Sequence, residues 1–353
     1  RQGAAAAFIV HETEPAGYPW EVVEGSWTGE QFDLVRADSN RSRVDVEGWL
    51  TNETAHAVFD QAGLDLDSLA ARAAARDFAA VPLGLRASVT LRNAVRRSVS
   101  RNVLARLRGT DRGDECVIYM AHWDHLGRDP SLVGDRIYNG AKDNATGTAG
   151  LLEIARAFSS LDPPPARSVL FLAVTAEEQG LLGSAYYAAH PVCPLAQTVA
   201  AVNMDAMNVL GPMRDVTVVG LGYSELDDYV VAAADAQGRR VRPDPEAEKG
   251  FYFRSDHFSF ARRGVPAAWI DAGIDHVEHG EQWTLQRRAA YTAERYHTPA
   301  DEYDPAWDLT GLADDLRLLF RVGYRLAGAS TFPEWRDGVG FKATRDSMLA
   351  TAH

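Results

Sequence analysis

The chain has no run of about 18 uninterrupted apolar residues, so nothing in it reads as a transmembrane helix. It carries only two cysteines, Cys116 and Cys193, which excludes a scaffold held together by disulfides. Positive charge is scarce: 36 Lys and Arg against 49 Asp and Glu leave a net −13 with histidines neutral. That is the wrong sign for gripping a phosphate backbone, so no nucleic-acid partner is expected. No internal repeat occurs, and the one low-complexity spot is Pro163-Pro164-Pro165. A G-x-S-x-G motif is also missing, so Ser184 and His190 do not read as a nucleophile and its base. The glycines of Gly220-Leu221-Gly222 lack the spacing of a Rossmann or P-loop phosphate cradle. No Met precedes Arg1 and no signal-peptide pattern follows it, so the chain reads as processed or truncated.

What remains is ordinary for a soluble globular protein, with 46% apolar and 24% charged residues. A length of 353 residues suits two domains or one large one. Cys116 opens an apolar run and reads as a small buried hydrophobe. Cys193 lies in a Pro-flanked loop, and whether the two pair is left open; two cysteines fit an oxidising compartment without demonstrating one.

Residues 4–10 read as a buried strand, 43–50 as a second, and an Ala-rich helical stretch runs from Asn52 past Gly63 to Phe78. Pro82-Leu83-Gly84 breaks that pattern, and the sequence turns strand-like again from Leu85 to Asn93. We therefore expect a front domain over 1–82 and a second domain over 83–353. In the second, short apolar runs at 117–121, 169–174, 199–204, 216–219 and 265–270 alternate with helices over 146–159, 225–237 and 309–326. The runs are apolar on both faces, as strands covered by helices on each side must be. The expected fold is α/β, a mixed and largely parallel sheet with helices on both faces.

In open α/β sheets the ligand site lies beyond the carboxyl ends of the strands. Three successive strands here are followed by His122-Trp123-Asp124-His125, by Glu177-Glu178 and by Asp205. Asp143 precedes the clearest helix, and Tyr296-His297 sits on a late loop. Each has a bland alternative: a structural histidine, a solvated acidic turn, a helix cap at Asp143. Their convergence at corresponding strand ends favours a site, and imidazoles with carboxylates but no thiolates suit zinc or a similar divalent ion. His122 and Asp124 are two apart, so in extended chain they point the same way, and Asp124 can accept the second ring N–H of His122. Adjacent Glu177 and Glu178 diverge, leaving one free to act as base while the other binds metal. His276 and His279 flank Glu278, but the tract 275–295 reads better as a lid loop with some helix bordering the substrate entrance.

The motifs HWDHLG, KDNATG, TAEEQGLLGS, NMD, FRSDHFSF and YHTPADEYD, in this order over about 100–328, resemble the co-catalytic di-zinc aminopeptidase family, whose relatives include glutamate carboxypeptidase and glutaminyl cyclase. The resemblance implies two Zn²⁺ per chain: His122 and Asp205 on one, Glu178 and His297 on the other, with Asp143 bridging. It further implies Glu177 as catalytic base, Tyr296 as the phenol steadying the oxyanion, and Arg254, Ser255, Asp256 and His257 near the substrate. AAAAFIVHETEPAGYPW at the front resembles the second half of a β-rich, non-catalytic protease-associated domain. The implied activity is a secreted, periplasmic or membrane-tethered metalloexopeptidase acting on peptides, read here as an aminopeptidase. The alternatives are a carboxypeptidase or dipeptidase with the same metal site, and a catalytically silent binding module on this scaffold.

Overall fold

The computed structural model describes residues 3–27 and 29–351. The chain divides into two compact units, Arg1–Glu21 with Val35–Val99, and Val22–Leu34 with Ser100–His353. No helix among the described residues is long and apolar enough to cross a membrane.

The first unit is built on two parallel strands, β1 (Ala6–His11) and β2 (Val46–Thr51). Helix α1 (Thr13–Ala16) ends at Gly17, whose φ of 82° makes the left-handed cap. Helix α2 spans Trp20–Trp27, and from Val22 onward it belongs to the second unit. Helix α3 (Asn52–Gln61) starts at Thr51, whose side chain accepts from the N–H of Thr54. Gly63, at φ 69°, ends the helical run, and α4 (Leu66–Ala73) begins anew with Asp65 accepting from Ser68. The expected continuous helix to Phe78 is therefore two helices, the second ending at Ala73. His11 is buried among Tyr18, Trp20 and Trp49.

Two expectations fail in this unit. The strand over 4–10 is present but not buried: Phe8 is 44% and Ile9 55% exposed, because β1 has a single partner strand and little covering its outward residues. The alternating segment 85–93 forms no strand; nothing regular lies between Ala73 and Val103. Alternation alone cannot make a strand without a neighbour to complete its hydrogen bonds. With one two-stranded sheet and more helix than strand, this unit is less β-rich than expected.

The second unit is the expected mixed α/β sandwich. Its strands are β3 (Val103–Leu107), β4 (Arg112–His122), the two-residue ribbon β5 (Gly127–Arg128) and β6 (Ile137–Tyr138), then β7 (Arg167–Val174), β8 (Thr198–Asn203), β9 (Asp215–Val219), β10 (Arg240–Pro243) and β11 (Ala267–Ala272). Seven of them form one sheet in the order β10-β9-β11-β8-β4-β7-β3. β7, β4, β8 and β11 run parallel, whereas β3 and the β9–β10 pair run against them. Helices α5 (Thr146–Ser159), α6 (Leu182–Ala189), α7 (Leu226–Asp235), α8 (His257–Ala261), α9 (Gly280–Glu294), α10 (Thr310–Gly328) and α11 (Lys342–Thr351) complete it. Helix α9 replaces most of the loop expected over 275–295.

The period-2 rule divides β4 between two cores. Val117, Tyr119 and Ala121 face a cluster with Leu151, Ile154 and Phe158 of α5 and Leu318, Leu319 and Val322 of α10. Ile118 and Met120 face the opposite cluster, with Phe260, Val265 and Trp335. Tyr119 is fully buried, and its hydroxyl donates to the Leu319 carbonyl at 2.7 Å. That contact requires glycine at 323, where a Cβ would meet the Tyr119 oxygen at 1.8 Å. The cysteines are not free thiols: Cys116 and Cys193 form a disulfide, Cα–Cα 6.5 Å. It ties the early part of β4 to the loop leading into β8.

Candidate metal centre

The site forms where β8, β4 and β7, three neighbours in the sheet, end together. β4 finishes on His122, β7 leads into Glu177 and Glu178, and β8 leads into Asp205. Hydrogen bonding along the apolar strands fixes these ends, so the residues that follow are delivered to one rim. The turns are tight: Ala176 and Ala206 take the left-handed conformation at φ 54° and 48°, as does His297 at φ 57°. Non-glycine residues there cost energy and persist where the surroundings enforce them.

Asp143 is not a helix cap. Asn144 takes that role: its carbonyl oxygen accepts from the N–H of Gly147 at 2.9 Å and of Ala206 at 3.2 Å, and its amide donates to the Met204 oxygen at 3.0 Å. Gly147 has to be glycine, since a Cβ would come within 2.3 Å of the Asn144 oxygen. The Asp143 carboxylate is thereby released into the site. Its Oδ1 lies 3.1 Å from His122 Nε2 and its Oδ2 3.5 Å from His297 Nε2. Asp205 Oδ1 is 3.4 Å from His122 Nε2, and Glu178 Oε2 is 3.1 Å from His297 Nε2. Donor atoms of His122, Asp143 and Asp205 all lie within 4.8 Å of one another, as do those of His122, Glu177 and Glu178, and of His125, Asp143 and Glu178.

The electrostatics follow from crowding carboxylates and imidazoles out of water. Burial works against charging His122, but Asp143 and Asp205 overcome it and hold the ring well above its ordinary pKa. Burial likewise opposes charge on His297, yet Glu178 and Asp143 lift it to about 10. Glu178 is brought down to about 2 against its burial, chiefly by His297. Glu177 goes the other way, pushed well above the carboxylate range by burial, with neighbouring Glu178 adding to it. The two adjacent glutamates are thus shifted in opposite directions by their surroundings. Burial and the surrounding carboxylates, Asp143 first, also hold the Tyr296 phenol neutral; its ring stacks on His297 at 3.9 Å.

Asp124 acts on His122 differently from the expectation. The ring Nδ1 is 3.1 Å from the main-chain oxygen of Asp124 and 3.8 Å from its carboxylate. The carboxylate instead accepts from the N–H groups of Glu177 at 3.1 Å and Glu178 at 3.4 Å, clamping the acidic turn. The RSDH segment separates into different environments. Arg254 is exposed, its guanidinium over Phe251. Ser255 is buried, donates to Asp205 Oδ2 at 2.5 Å and receives the Asn203 amide at 2.6 Å. Asp256 is wholly buried, and burial raises its carboxyl to about 7. His257 is wholly buried too, against Tyr252 and Trp269, and burial lowers its ring to about 3.

Some of the machinery lies within the quoted motifs HWDHLG, KDNATG and YHTPADEYD without having been given a role there. Asp301, fully buried, accepts from the N–H of Lys142 at 3.1 Å, the N–H of Asp143 at 3.0 Å and the Tyr291 hydroxyl at 3.1 Å, and so fixes the Asp143 backbone. Lys142 donates to the Ala206 carbonyl at 3.0 Å and lies 4.4 Å above the Tyr291 ring. His125 Nδ1 is 2.7 Å from Glu178 Oε1, a contact hinted at by its place in the HWDH quartet. His276 and His279 stack on each other with Trp283 tilted against both, and His276 Nδ1 accepts two backbone N–H groups. That is a satisfied structural histidine.

The donor set fits a divalent metal. Four carboxylates and three imidazoles converge in a buried place, and a cation is the natural partner for such an excess of negative charge. Comparison with known proteins agrees. The chain is 29% identical over 200 residues to aminopeptidase YwaD of Bacillus subtilis, covering 53% of this chain and 36% of that one. It is 28% identical over 223 residues to leucine aminopeptidase 2 of Arthroderma otae, covering 58% and 40%. The shared stretch is thus well under two thirds of either relative. In fold it resembles the aminopeptidase from Aneurinibacillus sp. strain AM-1, with a TM-score of 0.50 at 21% identity over 94% of this chain and 65% of that one. The model of peptidase family M28 matches residues 102–319, which hold the whole seven-stranded sheet and every site residue from His122 to Asp301, and the chain belongs to that family.

Proposed function

We propose that the protein is a zinc-dependent metalloexopeptidase, an aminopeptidase, with two ions per chain. The observation that carries this is Asp143: its two oxygens face two different histidines, His122 and His297, as a carboxylate shared between two ions would. Asp205 would complete the first site and Glu178 the second. Bound there, the ions would supply Lewis acidity to the scissile carbonyl and make water a better proton donor near neutral pH.

The chain's own residues would do the rest. Glu177, with its basicity raised by burial and held out by the Asp124 clamp, takes the proton of the attacking water and returns it to the leaving amine. Tyr296, kept neutral, donates a hydrogen bond to the oxyanion as charge develops there. The free α-ammonium of the substrate would meet the carboxylates at the rim. Two curated relatives being named aminopeptidases supports this end-preference. The exposed Arg254 is the cation beside a site motif that a carboxypeptidase would use for a terminal carboxylate. We read residues 83–353 as the catalytic domain and 1–82 as part of a protease-associated domain. Export is supported by the Cys116–Cys193 disulfide, a bond that persists in oxidising compartments.

Amino-acid anilides and short peptides test the assignment. Hydrolysis should stop on chelation, return with zinc, and be abolished by N-acetylation but not by C-amidation. Cleavage that survives acetylation and fails on amidation would make the enzyme a carboxypeptidase, and hydrolysis by metal-free protein would refute the mechanism.

A further inference from the structure

Ser26 lies in α2, far from the metal-centre motifs in sequence, yet its hydroxyl reaches one of the histidines. Its Oγ is 2.7 Å from the main-chain oxygen of Val22, one turn back, and 2.7 Å from Nδ1 of His297. A serine hydroxyl has one hydrogen and spare lone pairs. The Val22 oxygen can only accept, so the hydrogen goes there. Oγ then meets the imidazole with a lone pair, and His297 must carry its proton on Nδ1.

The consequence is on the far side of the ring. Nε2 faces Glu178 Oε2 at 3.1 Å and Asp143 Oδ2 at 3.5 Å, and with Nδ1 bonded to Ser26 it is the nitrogen whose proton an ion would displace. We propose that Ser26 is a positioning residue for the metal centre, fixing the Nδ1–H tautomer and the ring plane of His297 so that Nε2 is presented to the ion. This rests on reading His297 as a ligand. Metal-bound histidines commonly donate their other N–H to a carboxylate, a carbonyl or water; here the acceptor is a hydroxyl whose own hydrogen is committed elsewhere.

Other contacts hold the same segment in place. The N–H of Phe32 donates to Gln179 Oε1 at 3.2 Å, beside Glu177 and Glu178. Gly25 backs onto the His297 carbonyl, 3.4 Å from where its Cβ would be. Residues 22–34 therefore fasten to both the acidic turn and the His297 loop. A segment read from sequence as non-catalytic becomes part of the metal centre's support.

The test uses Ser26→Ala, Ser26→Thr and, as control, His297→Ala, with zinc affinity measured by chelator competition. Ser26→Ala should weaken one of the two ions by about 10- to 100-fold, the usual cost of losing such a partner, and leave the other unchanged. Ser26→Thr keeps the hydroxyl and should recover most of the loss. Nitrogen-15 spectra of the imidazoles in the zinc-loaded protein should assign the proton of His297 to Nδ1 and show that resonance altered in Ser26→Ala. If Ser26→Ala binds both ions like the wild type while His297→Ala loses one, the role of Ser26 is refuted and the ligand assignment stands. If His297→Ala also binds both, the ligand assignment itself fails and this inference falls with it.

Discussion

Glu177 and Glu178 are neighbours with identical side chains, and their surroundings drive them apart. Glu178 is bonded to two imidazoles that hold its pKa down at about 2, whereas burial pushes that of Glu177 well above the carboxylate range. Glu177→Gln preserves size and polarity but cannot take a proton. Activity should fall by roughly 10²–10⁴ with both metals retained. Glu178→Ala should release metal first, with activity lost as a consequence; metal analysis of both variants distinguishes these outcomes, and the reverse pattern would swap the two roles. His257 provides a stability prediction. Its folded pKa of about 3 lies below the ordinary 6.5, so the stability that comes from keeping the ring neutral is present above pH 6.5. It is lost as the pH falls toward 3, because only the unfolded chain then takes up the proton. In metal-free protein, melting temperature against pH should therefore drop less steeply for His257→Phe than for the wild type; parallel curves would contradict the assignment.

Strands carry the legible part of the structure. Apolar runs mark β4, β7 and β8 in the sequence, and the residues within four positions of each run's end include the candidates because a strand's end is set where its apolar pattern stops. Helix α5 was equally plain, from its spacing of Leu151, Ile154 and Phe158. The sequence was silent where a contact joins distant segments. Ser26 is 271 residues from His297, and Asp301 is 158 from Asp143; neither pairing leaves a local pattern. Segment 85–93 shows the converse, a local pattern with no strand to complete it. The disulfide belongs with the long-range contacts. Closing a loop with a sequence separation of 77, it should stabilise the fold by roughly 2–5 kcal/mol. Cys116 and His122 are six residues apart on one strand, roughly 20 Å at 3.3 Å per residue. The Cys116→Ser/Cys193→Ser double variant should thus lower the denaturation midpoint and leave zinc content unchanged. A loss of zinc without loss of stability would contradict that separation.

At the scale of the molecule, a mixed sheet brings three neighbouring strand ends to one rim, and loops from both flanks supply what the strands do not. Asp143 enters ahead of α5, His297 after α9, and Asp301 and Asn144 lock the first of these in place. The proposed mechanism depends on Asp143 serving two ions rather than one. Zinc content of the purified chain, reconstituted and measured by mass spectrometry under native conditions, tests this most directly. Two ions per chain are expected, falling to one in His297→Ala. A wild-type protein that takes up a single ion, or none, would contradict it.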